Sequence, residues 1–179
     1  MMAATRGVYG GVLPSADMST DTLTKGFMQP VPTPLQPSSG LMLGQSAHPP
    51  VPLDMLLPAK AISDGLMAQY FQCVHPVARC LHGPSFQVKY QAFWDEIHSN
   101  VTPRPSTQAL IFAVMFSAAV SLDDKAAVQR FGYSRDALLH NFKTGAESAL
   151  CQASFLQSTK VETLQALIIY LVNLPRTRM

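Results

Sequence analysis

The stretch from Tyr70 to Ile97 reads YFQCVHPVARCLHGPSFQVKYQAFWDEI and holds the single tryptophan of the chain, Trp94. Its second half predicts an amphipathic helix, because its large apolar residues recur at the spacing of one helical face and not at the two-residue alternation of a strand. These residues are Phe86, Tyr90, Phe93, Trp94 and Ile97. Ser85 is suited to N-cap this helix, since its hydroxyl can accept from backbone N–H groups of the first turn. His75-Pro76 and Gly83-Pro84 separate it from an earlier helix, because proline removes a hydrogen-bond donor and disfavours helical geometry in the residue before it.

The residues after position 57 predict an all-α, irregular domain of about five helices, because apolar residues there follow helical spacing and no segment alternates like a strand. Pro58 suits the first turn of the first helix, whose apolar stripe runs from Ile62 to Val74. Ser134 is the predicted N-cap of the longest helix. The buried face of that helix is predicted to comprise Leu138, Leu139, Phe142, Ala146, Ala149, Leu150 and Ala153. The last helix, TLQALIIYLV, is apolar nearly all round and follows Thr159 and Glu162, which have the spacing of a capping box.

The first 57 residues differ in composition from the rest, since nine of the 14 prolines lie within the first 58 residues. Bulky apolar residues are too few there to offset the entropy of ordering the chain. We therefore predict a disordered Pro-rich tail or linker over residues 1–57, a helical domain over 58–174 and a short tail over 175–179. Thr33, between two prolines, and the Pro34–Pro37 spacing suggest an alternative in which the tail recruits a partner.

Charge and cysteine content narrow the function classes. The formal net charge is +2, and 13% of the residues are charged. The basic residues are scattered except for Arg176 and Arg178, so direct nucleic-acid binding, which needs clustered cations, is not expected. The chain has three cysteines, Cys73, Cys80 and Cys151. An odd number without framework spacing favours reduced thiols and an intracellular setting.

The stretch Pro105–Leu122 carries no charge and is the best candidate for a membrane span. Its apolar core, Ala109 to Val120, has 12 residues, fewer than the ~20 that a helix needs to cross a bilayer. A helix buried on all sides of a globular domain has the same composition. We therefore predict a core helix and no membrane association, with a membrane-associated helical protein as the alternative.

Two separated sets of residues together resemble the fungal-specific transcription factor domain, the helical regulatory region found downstream of Zn2Cys6 zinc-cluster DNA-binding domains. The first set is Tyr70, Phe71, Val74, His75, Pro76, Leu81, His82, Pro84, Phe86, Tyr90, Phe93 and Trp94. The second set is Ala146, Glu147, Ala149, Leu150 and Thr163–Leu167. They occur in the family's order, with an apolar helical stretch between them, and the resemblance covers about residues 58–172.

The resemblance implies a nuclear, non-enzymatic protein that regulates transcription through a helical domain. Family members continue past the last helix into further helices that do not follow Asn173 here, so we expect a part of the family domain. An apolar helix without its cover would leave an exposed patch, of a kind that marks protein–protein contacts. We therefore expect a protein partner, with a full-length relative as one candidate.

The family's DNA-binding module is a zinc cluster of six cysteines that begins C-x2-C. This chain has three cysteines and no such pair. We therefore expect zinc only in a Zn2Cys6 module outside this chain, and no DNA-binding residue and no cofactor within it.

The sharpest metal candidate is the group Cys73, His75, Cys80 and His82, because thiolates and imidazoles are preferred zinc ligands. Structural zinc sites normally use C-x2–4-C pairs, and these residues form two C-x-H pairs. The resemblance places His75 and His82 at a helix junction. We therefore interpret Cys73 and Cys80 as small apolar core residues and assign no metal ligand.

Candidate catalytic groups are few. Asp95-Glu96 suit a solvated helix edge, Asp123-Asp124 suit a helix cap, and His98 and His140 lack an evident nucleophile. Phe112, Met115 and Phe116 could line a ligand pocket, with core packing as the favoured interpretation. No P-loop or dinucleotide fingerprint is present. We predict no catalytic or cofactor-binding residue; the alternative is a small helical ligand-binding protein or enzyme whose family match is accidental.

Overall fold

The computed structural model describes residues 52–174, in which seven α-helices and a π-helical turn occur and no strand does. The helices are α1 (Leu53–Leu56), α2 (Lys60–Gln69), α3 (Gly83–His98), α4 (Pro105–Val120), α5 (Asp124–Phe131), α6 (Arg135–Gln152) and α7 (Val161–Asn173), with the π-helical turn at Tyr70–Val74. The all-α prediction is confirmed for this part of the chain. Helix α5 follows the predicted cap at Asp123, and α1, with four residues, is the helix that the prediction lacks, because so short a helix leaves little periodic signal.

The predicted boundary of the Pro-rich tail needs correction. The composition places residues 53–56 in that tail, but they form α1, and Leu53 is buried against the core. Helix α1 also contacts α6, which is nearly a hundred residues later in the sequence, so a tertiary contact holds it in place. Residues 1–51, including Thr33, Pro34 and Pro37, and residues 175–179 lie outside the described part, and the predictions for them stay predictions.

Helix α4 is the centre of the domain. Every residue from Gln108 to Val120 is buried, and α4 packs most extensively against α6 and α7. This confirms the prediction of a core helix over Pro105–Leu122. None of the helices within residues 52–174 combines the length and the apolar character that a bilayer crossing requires.

One hydrophobic core includes both regions that carry the family resemblance. Trp94 of α3 and Phe142 of α6 belong to the same cluster of buried side chains, to which α4 contributes Phe112, Met115 and Phe116. Those three residues are fully packed, so the favoured interpretation of core packing is confirmed. The domain is therefore one packed unit and not two unconnected helical pieces.

Gly145 allows α6 to approach α4 closely. A Cβ atom at this position would lie 2.5 Å from Cδ1 of Phe112, closer than carbon atoms pack. The small residues on the same face of α6, Ala146 and Ala149, are also buried. Helix α4 thus approaches this face of α6 closely at Gly145.

Two predicted helix caps are confirmed. The Ser134 hydroxyl accepts a hydrogen bond from Ala137 N over 3.3 Å at the start of α6. The carboxylate of Asp123 accepts from Ala126 N over 2.6 Å at the start of α5, so the first of the two aspartates is a cap, as predicted. Helix α5 ends at Gly132, whose φ of 75° is the left-handed conformation that glycine adopts without steric cost.

Two other predicted caps are wrong. Helix α3 starts at Gly83, three residues before the predicted start, and its N-cap is His82; Ser85 instead pairs its hydroxyl with His82 Nδ1 at 2.8 Å. No side chain caps α7, whose N-cap is Lys160 and not Thr159. Glu162 instead forms an ion pair with Lys89 of α3. The contact of Glu162 comes from the tertiary structure, whereas that of Ser85 is a local one with a residue three positions earlier.

Candidate interaction surface

The outer face of α7 is the most distinctive surface of the described domain. The residues of α7 that are exposed are Val161, Leu164, Ile168, Leu171 and Val172. Their exposed fractions lie between 39% and 63%, although all five are aliphatic. We call these five residues the α7 stripe. The exposed apolar patch predicted for the last helix is therefore present.

The opposite side of α7 carries its polar groups into the domain. Asn173 and Thr163 are buried, and the Asn173 side chain donates to Ser117 Oγ of α4 over 3.0 Å. The Gln165 amide donates to Cys80 O over 2.9 Å. The ordinary amphipathic arrangement, with apolar residues inside and polar residues outside, is therefore partly reversed in this helix.

Two further contacts bind α7 to neighbouring helices. The Tyr170 hydroxyl, on the inner face of α7, donates to the Glu147 carboxylate of α6. Burial raises the pKa of Tyr170, and the hydrogen bond and charge of Glu147 act in the same direction. The ion pair of Glu162 with Lys89 lowers the pKa of the Glu162 carboxyl. Since α7 makes polar contacts with α3, α4 and α6, the α7 stripe lies on a helix that is fixed to the rest of the domain.

The four residues of the metal candidate have separate partners. Cys73 is exposed and accepts from Gln69 Nε2 over 3.3 Å, while Cys80 is half-buried against the core. His75 stacks edge-on against the Phe71 ring, with centroids 5.1 Å apart, and His82 pairs with Ser85. Within residues 52–174, no three His, Cys, Asp or Glu side chains lie where they could hold a metal ion.

The interpretation of Cys73 as a core residue is therefore wrong. Cys73 belongs to the π-helical turn that follows α2, where His75 N donates to Tyr70 O over 2.9 Å. Within this turn Tyr70 and Val74 are buried, as the apolar stripe from Ile62 to Val74 predicts, whereas Cys73 is exposed.

The catalytic candidates are dispersed over the surface. Asp95, His98 and His140 are exposed, and Asp95 accepts from Gln91 on its own helix over 3.2 Å. Asp123 is engaged in its cap. A depression between α1, α3 and α4, lined by Leu57, Phe93 and Gln108 among others, has a volume of about 10 Å³. That is about the space of one water, so it is too small for a metabolite.

A model of the fungal-specific transcription factor domain matches residues 67–173, from the end of α2 through α7. This match covers most of the described residues and both sets that carry the resemblance. The chain belongs to the fungal-specific transcription factor domain family. The alternative of an accidental family match is therefore wrong.

Relatives in several fungi are named as transcription factors. The chain is 37% identical to the aurofusarin cluster transcription factor aurR2 of Gibberella zeae over 138 residues, which are 77% of this chain and 20% of the relative. It is 35% identical to the pyriculol/pyriculariol biosynthesis cluster transcription factor 1 of Pyricularia oryzae over 101 residues, 56% of this chain and 13% of the relative. It is 27% identical to the C6 finger domain transcription factor hasF of Aspergillus fumigatus over 122 residues, 59% of this chain and 16% of the relative.

The chain thus spans a fifth or less of the length of these relatives. No solved structure matches it. The transcription factors of this family are generally not enzymes.

Proposed function

We propose that this chain acts in the nucleus as a non-catalytic regulatory module that binds a protein partner through the α7 stripe. The observation that supports this most directly is the composition of the stripe. Every exposed residue of α7 is aliphatic, whereas the exposed residues of α3 include Gln87, Gln91 and Asp95. An aliphatic stripe of this size on a soluble surface costs free energy until a partner covers it, and such patches mark protein contacts.

Direct DNA contact is not part of the proposal. The chain has three cysteines, fewer than the six of a Zn2Cys6 cluster, so its residues do not fit that cluster. Its net charge of +2 also provides little attraction for phosphate. Any effect on a promoter would then pass through a protein that contacts DNA itself, and a full-length relative is one candidate.

A tethering assay tests the proposal. The full chain is fused to a heterologous sequence-specific DNA-binding domain and expressed in a filamentous fungus with a reporter gene downstream of its sites. We expect the fusion to change reporter expression and a fluorescent version of the chain to accumulate in nuclei. Because Leu164 and Ile168 lie at the centre of the stripe, the double substitution Leu164→Asp/Ile168→Asp should abolish the change in expression.

The matched control is Val88→Asp/Val128→Asp, which places the same charges on exposed valines of α3 and α5. This control should regulate the reporter like the unaltered chain. Equal regulation by the stripe variant and the unaltered chain, with both expressed at the same level, would refute the proposal. So would exclusion of the chain from nuclei.

A further inference from the structure

We propose that the α7 stripe, together with the cations at its N-terminal end, binds an acidic amphipathic segment of another protein. Such a segment carries aliphatic side chains on one helical face and carboxylates beside them. This inference rests on the proposed function, because it names the chemistry of the partner that covers the same stripe.

Three cationic residues lie around the first turn of α7. Lys160 is exposed and immediately precedes the helix. Lys89 of α3 forms an ion pair with Glu162 in the first turn. Arg79 is exposed and precedes the residue whose carbonyl oxygen accepts from the Gln165 amide over 2.9 Å. The N-terminal end of the stripe is therefore bordered by positive charge.

Two carboxylates at α7 are held by the chain itself. Glu162 is in its ion pair with α3, and the Glu147 carboxylate accepts from a hydroxyl on the inner face of α7. No ion pair joins Lys160 or Arg79 to a residue between 52 and 174. The first turn of α7 also has no side-chain cap, so its backbone N–H groups add positive potential. Carboxylates of a partner would therefore meet unpaired cations at this end of the stripe.

The α7 stripe has the width and the length of one helix face. At 3.6 residues per turn, its five residues fall within an arc of about 100° around the helix axis. A helix of 13 residues is about 20 Å long at 1.5 Å per residue. A segment that places aliphatic side chains at i, i+3, i+4 and i+7 presents a matching face, which is a recurring mode of peptide recognition.

The cations at the end of the stripe discriminate between partners. A basic segment, or a second copy of the chain in parallel, would place cations opposite Lys160 and Arg79, and like charges at an interface are unfavourable. Acidic side chains would instead be attracted to the same positions. Complementary charge of this kind contributes specificity and faster association, while the apolar stripe contributes the buried area.

The size of the surface limits the affinity. A contact along one face of about 20 Å buries less than the roughly 1,200 Å² that stable, specific complexes bury. We therefore expect reversible binding with a dissociation constant on the order of 10–100 µM. Because part of the attraction is between exposed charges, binding should weaken as the salt concentration rises.

Fluorescence anisotropy with the full chain tests the inference. The probe is a fluorescein-labelled synthetic peptide of about four helical turns, with leucine at i, i+3, i+4 and i+7 and aspartate at the flanking positions. We expect the chain to bind this peptide. The matched peptide, in which lysine replaces every aspartate, should bind at least tenfold more weakly because its charges repel the cations at the end of the stripe.

Substitutions in the chain separate the polar and the apolar parts of the surface. Arg79→Gln/Lys160→Gln should weaken binding of the acidic peptide about fivefold, because it removes two exposed charge pairs. Ile168→Asp should weaken it at least tenfold, because it places a carboxylate at the centre of the stripe. The control Arg104→Gln/Lys125→Gln removes two exposed cations before α4 and in α5 and should bind like the unaltered chain. Circular dichroism checks that every variant is folded.

The outcomes separate this inference from the proposed function. Equal binding of the acidic and the lysine peptide, or of Arg79→Gln/Lys160→Gln and the unaltered chain, would overturn the inference. So would binding to vesicles of phosphatidylserine and phosphatidylcholine without binding of the peptide. If the peptide does not bind while the tethered chain still requires Leu164 and Ile168, the inference fails and the proposed function stands with a different partner. If the peptide binds as expected but the reporter does not depend on the stripe, the proposed function fails instead.

Discussion

Asn173 donates a hydrogen bond to Ser117 over 3.0 Å, and both side chains are buried between α7 and α4. The same amide donates to Ile169 O over 2.7 Å. Its neighbour in the sequence, Val172, is about half exposed. In α7 the polar Asn173 is thus buried while the apolar Val172 beside it is exposed. A buried polar group is tolerated when it is hydrogen-bonded.

This relationship predicts that Asn173 contributes more to stability than Val172. Asn173→Ala removes two hydrogen bonds in a buried interface and should lower the free energy of unfolding by about 1–3 kcal/mol. Val172→Ala alters an exposed position and should change it by less than about 0.5 kcal/mol. Urea denaturation of both variants at low protein concentration measures the difference, and equal effects would contradict the packing of α7 described above.

A second prediction concerns Gly145. Gly145→Ala improves intrinsic helix propensity by about 1 kcal/mol, but its Cβ would lie 2.5 Å from the buried ring of Phe112. Overpacking of a core typically costs about 1–3 kcal/mol, so we expect net destabilisation. The exposed His140→Ala on the same helix is the control.

The double variant Gly145→Ala/Phe112→Leu tests the cause. If the ring is the obstacle, the alanine should cost less in the Phe112→Leu background than in the unaltered chain, and a double-mutant cycle measures this coupling. Additive effects would show that Phe112 is not what Gly145 accommodates.

A third prediction compares two tyrosines. Within residues 52–174, no atom accepts the hydroxyl proton of Tyr70, which is fully buried, whereas the Tyr90 hydroxyl donates to Asp64 over 2.6 Å. Burial also raises the pKa of Tyr70, so the hydroxyl stays protonated at neutral pH. Tyr70→Phe should therefore be neutral or stabilising by about 1 kcal/mol, since it removes a buried group without a protein partner.

Tyr90→Phe should instead destabilise by about 1 kcal/mol, because it removes a hydrogen bond to a carboxylate that is partly in water. Thermal and urea denaturation of the two variants check the contrast. Destabilisation by Tyr70→Phe equal to that by Tyr90→Phe would show that the Tyr70 hydroxyl has a partner in solution.

The fourth prediction is a pH dependence. Burial acts to raise the pKa of Asp64, but hydrogen bonds from Tyr90 and Lys60, together with the Lys60 charge, outweigh it, and the pKa lies below its ordinary value. The ion pair with Lys89 likewise lowers the pKa of Glu162. A carboxyl whose pKa is lower in the folded state stabilises the fold above its unfolded pKa and loses that contribution as the pH falls through the folded pKa.

Stability should therefore fall as the pH decreases below about 4.5, where the two unfolded carboxyl groups begin to take up protons. Because both ion pairs are partly exposed, each should contribute no more than about 1 kcal/mol. The urea midpoint measured from pH 6 to pH 2 checks this, with Asp64→Asn/Glu162→Gln as the comparison. The double variant should have a urea midpoint that depends less on pH than that of the unaltered chain. Equal pH dependence would contradict the lowered pKa values of Asp64 and Glu162.

The fifth prediction concerns thiol reactivity. Cys73 is exposed, whereas Cys151 is half-buried and has a pKa raised by burial and by the nearby charge of Glu147. Because the thiolate is the reactive form, Cys73 should react with a thiol reagent at neutral pH at least tenfold faster than Cys151. The reaction is measured with a chromogenic disulfide, and loss of the fast phase in Cys73→Ser would identify Cys73 as the fast-reacting thiol. A fast phase that persists in this variant would contradict the exposed position of Cys73.

Much of the helical architecture could be predicted from the sequence because its signal is local. The apolar spacing of Phe86, Phe93 and Trp94 follows one face of α3, and Ser134 stands directly before α6 with a side chain that caps it. The length and composition of α4 predicted burial correctly. These features depend on residues within one or two turns of each other.

Two of the failures have one physical cause, which is competition from residues far away in the sequence. Glu162 forms an ion pair with Lys89 and does not complete a capping box, and α1 is held by α6 although its own residues carry little helical signal. No local pattern contains these contacts.

The sequence by itself determined that the described chain is helical, that α4 is buried and that the last helix is apolar on nearly every side. Because α7 is apolar nearly all round, its periodicity could not select which side faces the domain. The tertiary structure decided this through contacts that only one orientation satisfies, namely Asn173 with Ser117, Gln165 with Cys80 and Tyr170 with Glu147. Pairing these polar groups inward left the aliphatic stripe outside, since a buried unpaired amide costs more free energy than an exposed leucine.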